Sequence, residues 1–306
     1  MTAAAGLPLH KAFRPEVFPV DRLDPGSDLV ELLSKILVTD YHEQVFDPGL
    51  GGRLDLHLAF TDEAVLQLAG LDGFALVFGG AASTAVRVSL TLHPTGWEIR
   101  LEGGARLRVA RNYLTPVVRH GDAWVGDPSR SFAEIHIPTG MLIDQDWNVR
   151  FDGANAFRFD PAMIGDSGLV LEGEIALDLS ESTALPEATA LGLPASWRGG
   201  VFRSLRVHLP EAFARVVPTE HLGLANFHIG AGGVTGAIAL VGTPPDGVIG
   251  GLPFRPTSLA IELEHNRLVR TELEGQLGLA FFHQPIALTA GFDLGGSSRF
   301  ADRAVR

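Results

Sequence analysis

The tripeptide Leu-Glu-Gly recurs three times, each time inside a period-2 alternation of apolar and polar residues. The copies lie in the stretches 99–109, 169–179 and 271–281, and their glycines, Gly103, Gly173 and Gly275, fall on the apolar side of each pattern. A residue without a side chain at such a position lets a long strand bend, or lets another backbone come close. The chain is thereby directed to long, curved, antiparallel strands with one apolar face.

Composition agrees with a packed β protein. The 306 residues are 46% hydrophobic and 20% charged, which supplies a sizeable core and argues against disorder. Length alone suggests about two domains. The 36 glycines and 19 prolines follow no Gly-X-Y period, so they read as turns. A formal net charge of -12 disfavours nucleic acid and docking on anionic lipid. There is no cysteine, which removes disulfides, a thiol nucleophile and Cys-ligated zinc. That fits a reducing cytoplasm and equally a secreted bacterial protein without disulfides. The N-terminus lacks a basic stretch followed by an apolar core, so no signal peptide is expected. No apolar run approaches the ~18 residues of a membrane helix.

Along the chain, residues 1–26 read as an irregular segment punctuated by Pro8, Pro15, Pro19 and Pro25. Residues 27–164 read as an α+β or β-rich region, residues 165–296 as an antiparallel β domain, and 297–306 as a linker-like tail, as in a module of a longer protein. Ser27 and Asp28 open a helical pattern through Leu29, Leu32, Leu33, Ile36 and Leu37, and Thr61–Ala69 suggests a second short helix ended by Gly70. Val86, Val88, Leu90 and Leu92 alternate into a turn at Pro94–Gly96. Trp97, Ile99, Leu101, Ala105, Leu107 and Val109 continue as the return strand of a hairpin. Its other face carries Glu98, Arg100, Glu102, Arg106 and Arg108, a polar face suited to cross-strand ion pairs. Leu259–Leu263, Leu273–Phe281 and Ile286–Leu294 predict a three-stranded meander turning at His265–Arg267 and at His283–Pro285. The fold class expected is mainly β: long antiparallel meanders forming a sandwich or a curled sheet, with one or two short helices near the N-terminus.

Few motifs carry chemistry. Gly165-Asp-Ser-Gly168 resembles the loop that holds the nucleophilic serine of chymotrypsin-like proteases. The resemblance covers four residues and implies an upstream histidine and aspartate, for which His57 with Asp122 or Asp144 qualify by order alone. His57 sits mid-strand, and Leu169 and Val170 replace the glycine and proline that follow the serine motif in that family, so a turn entering a strand is the simpler reading. Asp144, Asp146 and Asp152 offer oxygens to calcium from one acidic loop, without EF-hand spacing. The histidines form no His-x-His or His-x-x-x-His pair. The glycine-rich Gly230–Gly236 leads into a strand pattern, so the helix N-terminus that would hold a phosphate is missing. Glu98, Glu172, Glu174, Glu262 and Glu272 stand at polar strand positions, where a glycosidase pair would have to be found.

The function expected is that of a non-enzymatic structural or interaction module. Such a module belongs to a larger bacterial assembly or a multidomain protein, and meets protein partners or its own copies through edge strands and loops, without cofactor. The alternative is a curled-sheet carrier of an apolar small molecule or lipid, lined by Leu273, Leu277, Leu279, Phe281 and Phe292. A second alternative is an all-β hydrolase of unrecognised type.

Overall fold

Alternation is translated directly into sheet: strands take 63% of the structure and helix 5%. The coordinates are a computed structural model that describes residues 7–8, 36–47, 51–60, 62–68, 70–79, 85–93, 96–146, 148–180, 185–279 and 284–291. In chain order the strands begin with β1 (Leu7–Pro8), β2 (Ile36–Asp47), β3 (Gly51–Phe60), β4 (Ala64–Gln67), β5 (Phe74–Phe78), β6 (Ala85–His93) and β7 (Gly96–Glu102). They continue with β8 (Ala105–Ala110), β9 (Leu114–His120), β10 (Ala123–Gly126), β11 (Phe132–Ile137), β12 (Met141–Asp144), β13 (Val149–Phe151) and β14 (Phe157–Ile164). The remainder are β15 (Val170–Asp178), β16 (Gly199–His208), β17 (Leu222–Gly230), β18 (Gly233–Leu240), β19 (Gly247–Ile249), β20 (Leu252–Glu264), β21 (Arg267–Leu277) and β22 (Ile286–Gly291). Among the described residues two short α-helices, α1 (Pro186–Ala190) and α2 (Glu211–Ala214), interrupt them.

The chain forms two compact units that interleave in sequence: residues 1–108, 134–157 and 177–198 make the first, and 109–133, 158–176 and 199–306 the second. In the first unit a seven-stranded antiparallel sheet runs β1-β2-β3-β6-β7-β12-β13. Its register stacks Leu58 on Val86, and Val88 on Leu101 and then Met141, so the apolar positions of successive strands share one face. Leu58, Val86 and Met141 are buried. The opposite face carries the cross-strand ion pairs that the alternation predicts, Arg87 with Glu102 at 3.4 Å and Arg100 with Asp152 at 2.8 Å.

Two readings need correction here. The stretch 97–109 is not one strand. It divides at Gly103 and Gly104 into β7, in the seven-stranded sheet, and β8, beside β5 and β11. Gly103 adopts φ +134°, a conformation that side chains resist, and this lets the chain change sheets. The helix expected at Thr61–Ala69 is also absent. Ala64–Gln67 pairs with β5 through a turn that uses Gly70 and Gly73 at φ +74° and +82°. The apolar run Phe74–Val77 is buried on both faces, and pairing with it outweighs a weak local helix signal. Of the first predicted helix, Ile36 and Leu37 belong to β2, and residues 27–35 lie outside the described residues.

In the second unit the order is β22-β21-β20-β18-β17-β16-β15-β14, with β9 and β10 continuing beyond β14 and β19 lying on β20. The predicted meander is β20-β21-β22, antiparallel throughout. Its first turn places His265 and Asn266 at φ +51° and +61° between the paired Glu264 and Arg267, the geometry of a two-residue hairpin. Asn266 then ties this turn to the rest of the unit: its Nδ2 donates to the carbonyls of Asn112 (2.7 Å) and Tyr113 (3.0 Å), and its Oδ1 accepts from the Val234 amide (2.5 Å).

Two Leu-Glu-Gly glycines sit where strands approach most closely. A Cβ on Gly173 would stand 1.8 Å from the Ser204 carbonyl oxygen, and one on Gly275 would stand 2.2 Å from the Phe254 ring and 2.5 Å from the Arg255 carbonyl. Phe254 is fully buried and covers Gly275, an aromatic ring filling the space that the glycine leaves. Gly275→Ala should therefore cost about 1–3 kcal/mol, as overpacking does. Gly173→Ala should cost more, because the obstacle is backbone and the residue adopts φ +152°. Gly153→Ala, with open space at its Cβ and φ +85°, should lose only the left-handed penalty of about 1–2 kcal/mol. Urea unfolding of the three variants checks the order.

Candidate functional site

Two places in the described structure gather side chains able to do chemistry, one in each unit. In the first unit, alternation on β8 puts Arg106 and Arg108 on one face. Glu63 Oε1 accepts from Arg106 Nη2 at 2.6 Å and its Oε2 from Arg108 Nη2 at 2.7 Å, while Glu134 Oε1 accepts from Arg108 Nε at 2.9 Å. Arg106 also donates to the Gly79 carbonyl at 3.2 Å. Two cations and two anions close a neutral ring whose donors and acceptors are engaged with each other. That arrangement holds β4, β8 and β11 together and leaves no reactive group.

In the second unit a cavity of about 590 Å³ opens beside the β9–β10 hairpin. Register places Trp124 opposite Arg119, and the guanidinium carbon lies 5.7 Å from the indole centroid, within cation-π range. His208, at the end of β16, faces the same indole with ring centroids 5.6 Å apart. Its Nε2 is buried, stands 3.5 Å from Glu172 Oε2 and makes no hydrogen bond. The other carboxylate oxygen accepts from Arg206 at 3.0 Å. Pro210 stops the strand, and its carbonyl accepts from the Phe213 and Ala214 amides, starting α2 at the cavity wall.

The neighbouring architecture explains a second hollow, of about 450 Å³, which shares His208 and Thr219 with the first. Strands β16 and β17 pair only from Gly199 to Val201, against His228 to Gly230. Past that point β17 carries a bulge: Asn226 and Phe227 together oppose Gly236, with Asn226 at φ +60°. A bulge bends its strand and raises the twist. The Phe227 ring covers Gly236, whose Cβ would meet it at 2.6 Å. On β16 the first residue beyond the paired segment is Phe202, whose ring packs edge-on between Phe159 (5.5 Å) and Phe227 (6.4 Å). The aromatic wedge and the bulge part the two strands. Half-buried Leu205, Leu222 and Leu224 line the gap, with Arg206 and Glu220.

The residues singled out from the sequence fall as follows. Ser167 Oγ accepts from the Leu169 amide at 3.1 Å, so the Gly165–Gly168 motif closes the β14–β15 turn. His57 belongs to the other unit. Asp144 Oδ1 accepts from the Asp146 and Asn148 amides at 3.0 Å each, Asp144 Oδ2 pairs with Arg150 at 3.1 Å, and Asp152 pairs with Arg100. Asp146 is exposed. Among the described residues no three His, Asp or Glu side chains are placed to hold a metal ion. Of the carrier lining, Leu273 is buried with Leu259 and Ala290 as its cross-strand partners, and Leu277 and Leu279 are half-buried. Phe281 and Phe292 lie outside the described residues. Glu262 and Glu272 both pair with Arg270, at 3.3 and 2.8 Å. No motif in the sequence marks Trp124, Arg119 or His208; the one local signal is the strand stop at His208-Leu209-Pro210. Among the described residues no helix is long and apolar enough to cross a membrane. Compared with known proteins, the chain matches no family model, no curated protein and no solved structure.

The charged ring in the first unit gives a pH prediction. The Arg106 hydrogen bond, helped by Arg108, holds the Glu63 carboxyl below its ordinary value of 4.5. The folded chain then binds fewer protons than the unfolded chain, so this stabilisation is complete above pH 4.5 and fades as pH falls through the folded value. Glu63→Gln should be less stable than the parent at neutral pH, and the gap should close on acidification. Thermal unfolding of both proteins across that range measures it, and a gap independent of pH would count against the ring.

Proposed function

We propose that the chain is a non-enzymatic interaction module whose second unit accepts an extended segment of a protein partner where β16 and β17 part. The observation that carries this reading is the register of the two strands. Pairing ends at Val201 and His228, and each strand runs on beside a lined hollow instead of beside its neighbour. Strand edges without a ladder partner present a row of amides and carbonyls that an added strand can satisfy. The half-buried Leu205, Leu222 and Leu224 provide apolar contacts for alternate side chains of such a segment, and Arg206 and Glu220 give charges of both signs at its border. A catalytic reading has less support. The carboxylates on strands are ion-paired at Glu172, Glu262 and Glu272, and Ser167 is engaged in its own turn.

Selection from a display library of random linear peptides tests the proposal. The peptides recovered should alternate apolar and polar residues. They should bind one per chain and should slow amide exchange in residues 202–206 and 222–225. Leu224→Asp should abolish that binding while leaving the unfolding temperature within a few degrees of the parent, since the side chain is only half-buried. Selected peptides that protect a different surface, or that bind Leu224→Asp as well as the parent, would refute it.

A further inference from the structure

We propose that the cavity beside Trp124 is a binding site for a small amphipathic carboxylate, its chain or ring laid on the indole and its anion held by Arg119. This goes beyond the strand-addition reading and does not depend on it.

The volume, about 590 Å³, is in the range of small-molecule sites. The apolar part of the lining is Trp124, Met163, Val170, Leu209, Pro210 and Ala214. Val170 and Leu209 belong to the buried core, so this floor is fixed by packing. The charged part is confined to the hairpin, where Arg119 and Asp122 stand on either side of His120 and the turn at Gly121, while His208 and Thr219 add polar atoms from elsewhere in the lining. Gly121 adopts φ +62° with open space around it. An apolar floor with its charged groups at one border matches a ligand with an apolar body and a single charged end.

The sign of that end follows from which charges are already used. Arg119 lines the cavity, lies against the indole face and has no carboxylate partner among the described residues. Glu172 is occupied by Arg206, with His208 beside it, and Glu172 does not line the cavity. His208 does line it, its ring against Trp124. The two charged groups of the lining are thus placed differently: Arg119 stands over the indole, and the one carboxylate, Asp122, is exposed at the hairpin tip. A guanidinium binds a carboxylate in a forked, charge-assisted pair, and stacking on tryptophan fixes the plane of the fork. The opposing carboxylate of Asp122 sets the ligand's reach: its anion is drawn toward Arg119 and away from the turn.

Titration calorimetry of the whole chain with sodium decanoate, at concentrations below its micelle threshold, tests the site, with decyltrimethylammonium as the cation of the same chain length. Decanoate should bind one per chain and change the tryptophan emission, and the ammonium should not bind there. Arg119→Met should weaken decanoate about 10-fold or more, the scale of one charge-assisted contact. Asp122→Asn should strengthen it. Trp124→Phe should remove the emission change while keeping a saturable site. Arg119 and Asp122 are exposed, so those two variants keep the test decisive even if Trp124→Phe unfolds. Equal binding of the two amphiphiles, many decanoate molecules per chain, or an affinity unmoved by Arg119→Met would overturn the proposal.

Discussion

Close approach of backbones, made possible by glycine, is the constraint on which the second unit depends. At Gly173 the neighbouring strand brings the Ser204 carbonyl to a position that any Cβ would occupy. At Gly275 and Gly236 the space is filled instead by the rings of Phe254 and Phe227. Both rings are buried, and both belong to a neighbouring strand. Each such contact curves the sheet toward the missing side chain and keeps it curved, because the ring cannot leave without opening a void. The hydrophobic core then follows from the alternation: Leu259, Ile261, Leu263 and Leu273 lie buried in β20 and β21, with half-buried Ala260 and Glu262 between the first three.

The same device creates the opening. Phe227 can cover Gly236 because β17 carries one residue more than β18 at that point, and the extra residue, Asn226, takes up the positive φ. A strand bent there no longer follows β16, whose Phe202 ring fills the angle between the two. The hollow between β16 and β17, and the placement of His208 at the rim of two cavities, are consequences of a bulge and an aromatic wedge. Stability and binding surface come from one set of residues. The first unit is built differently: its charged ring of Glu63, Arg106, Arg108 and Glu134 closes on itself.

How much of this was legible in the sequence depended on whether the signal was local. The β20–β22 meander was readable because its alternation is uninterrupted and His265-Asn266 suits a two-residue turn. The role of Gly173 and Gly275 was readable for the same reason, since a glycine on an apolar face has few explanations. The strand at Ala64–Gln67 was not, because Thr61-Asp62-Glu63 imitates a helix start. What decides the matter is the apolar run Phe74–Val77, seven residues beyond the segment it pairs with. The break at Gly103 was hidden because alternation continues unbroken across it. The cavity was invisible: Arg119 and Trp124 meet across a hairpin, but His208 and Met163 arrive from strands far along the chain, and no spacing announces that they converge. The bulge at Asn226 leaves a mark of its own: the apolar positions shift there from Leu222 and Leu224 to Phe227 and Ile229.

The central claim is that β16 and β17 separate after Val201. Amide hydrogen exchange of the free chain, followed residue by residue, tests it most directly. Slow exchange is expected for the paired residues 199–201 and 228–230, and exchange faster by orders of magnitude for part of the amides in 202–206, since a strand edge without a neighbour leaves every second amide to water. Uniform protection along the whole of β16 would mean that the strands stay paired to their ends, and the account would be contradicted.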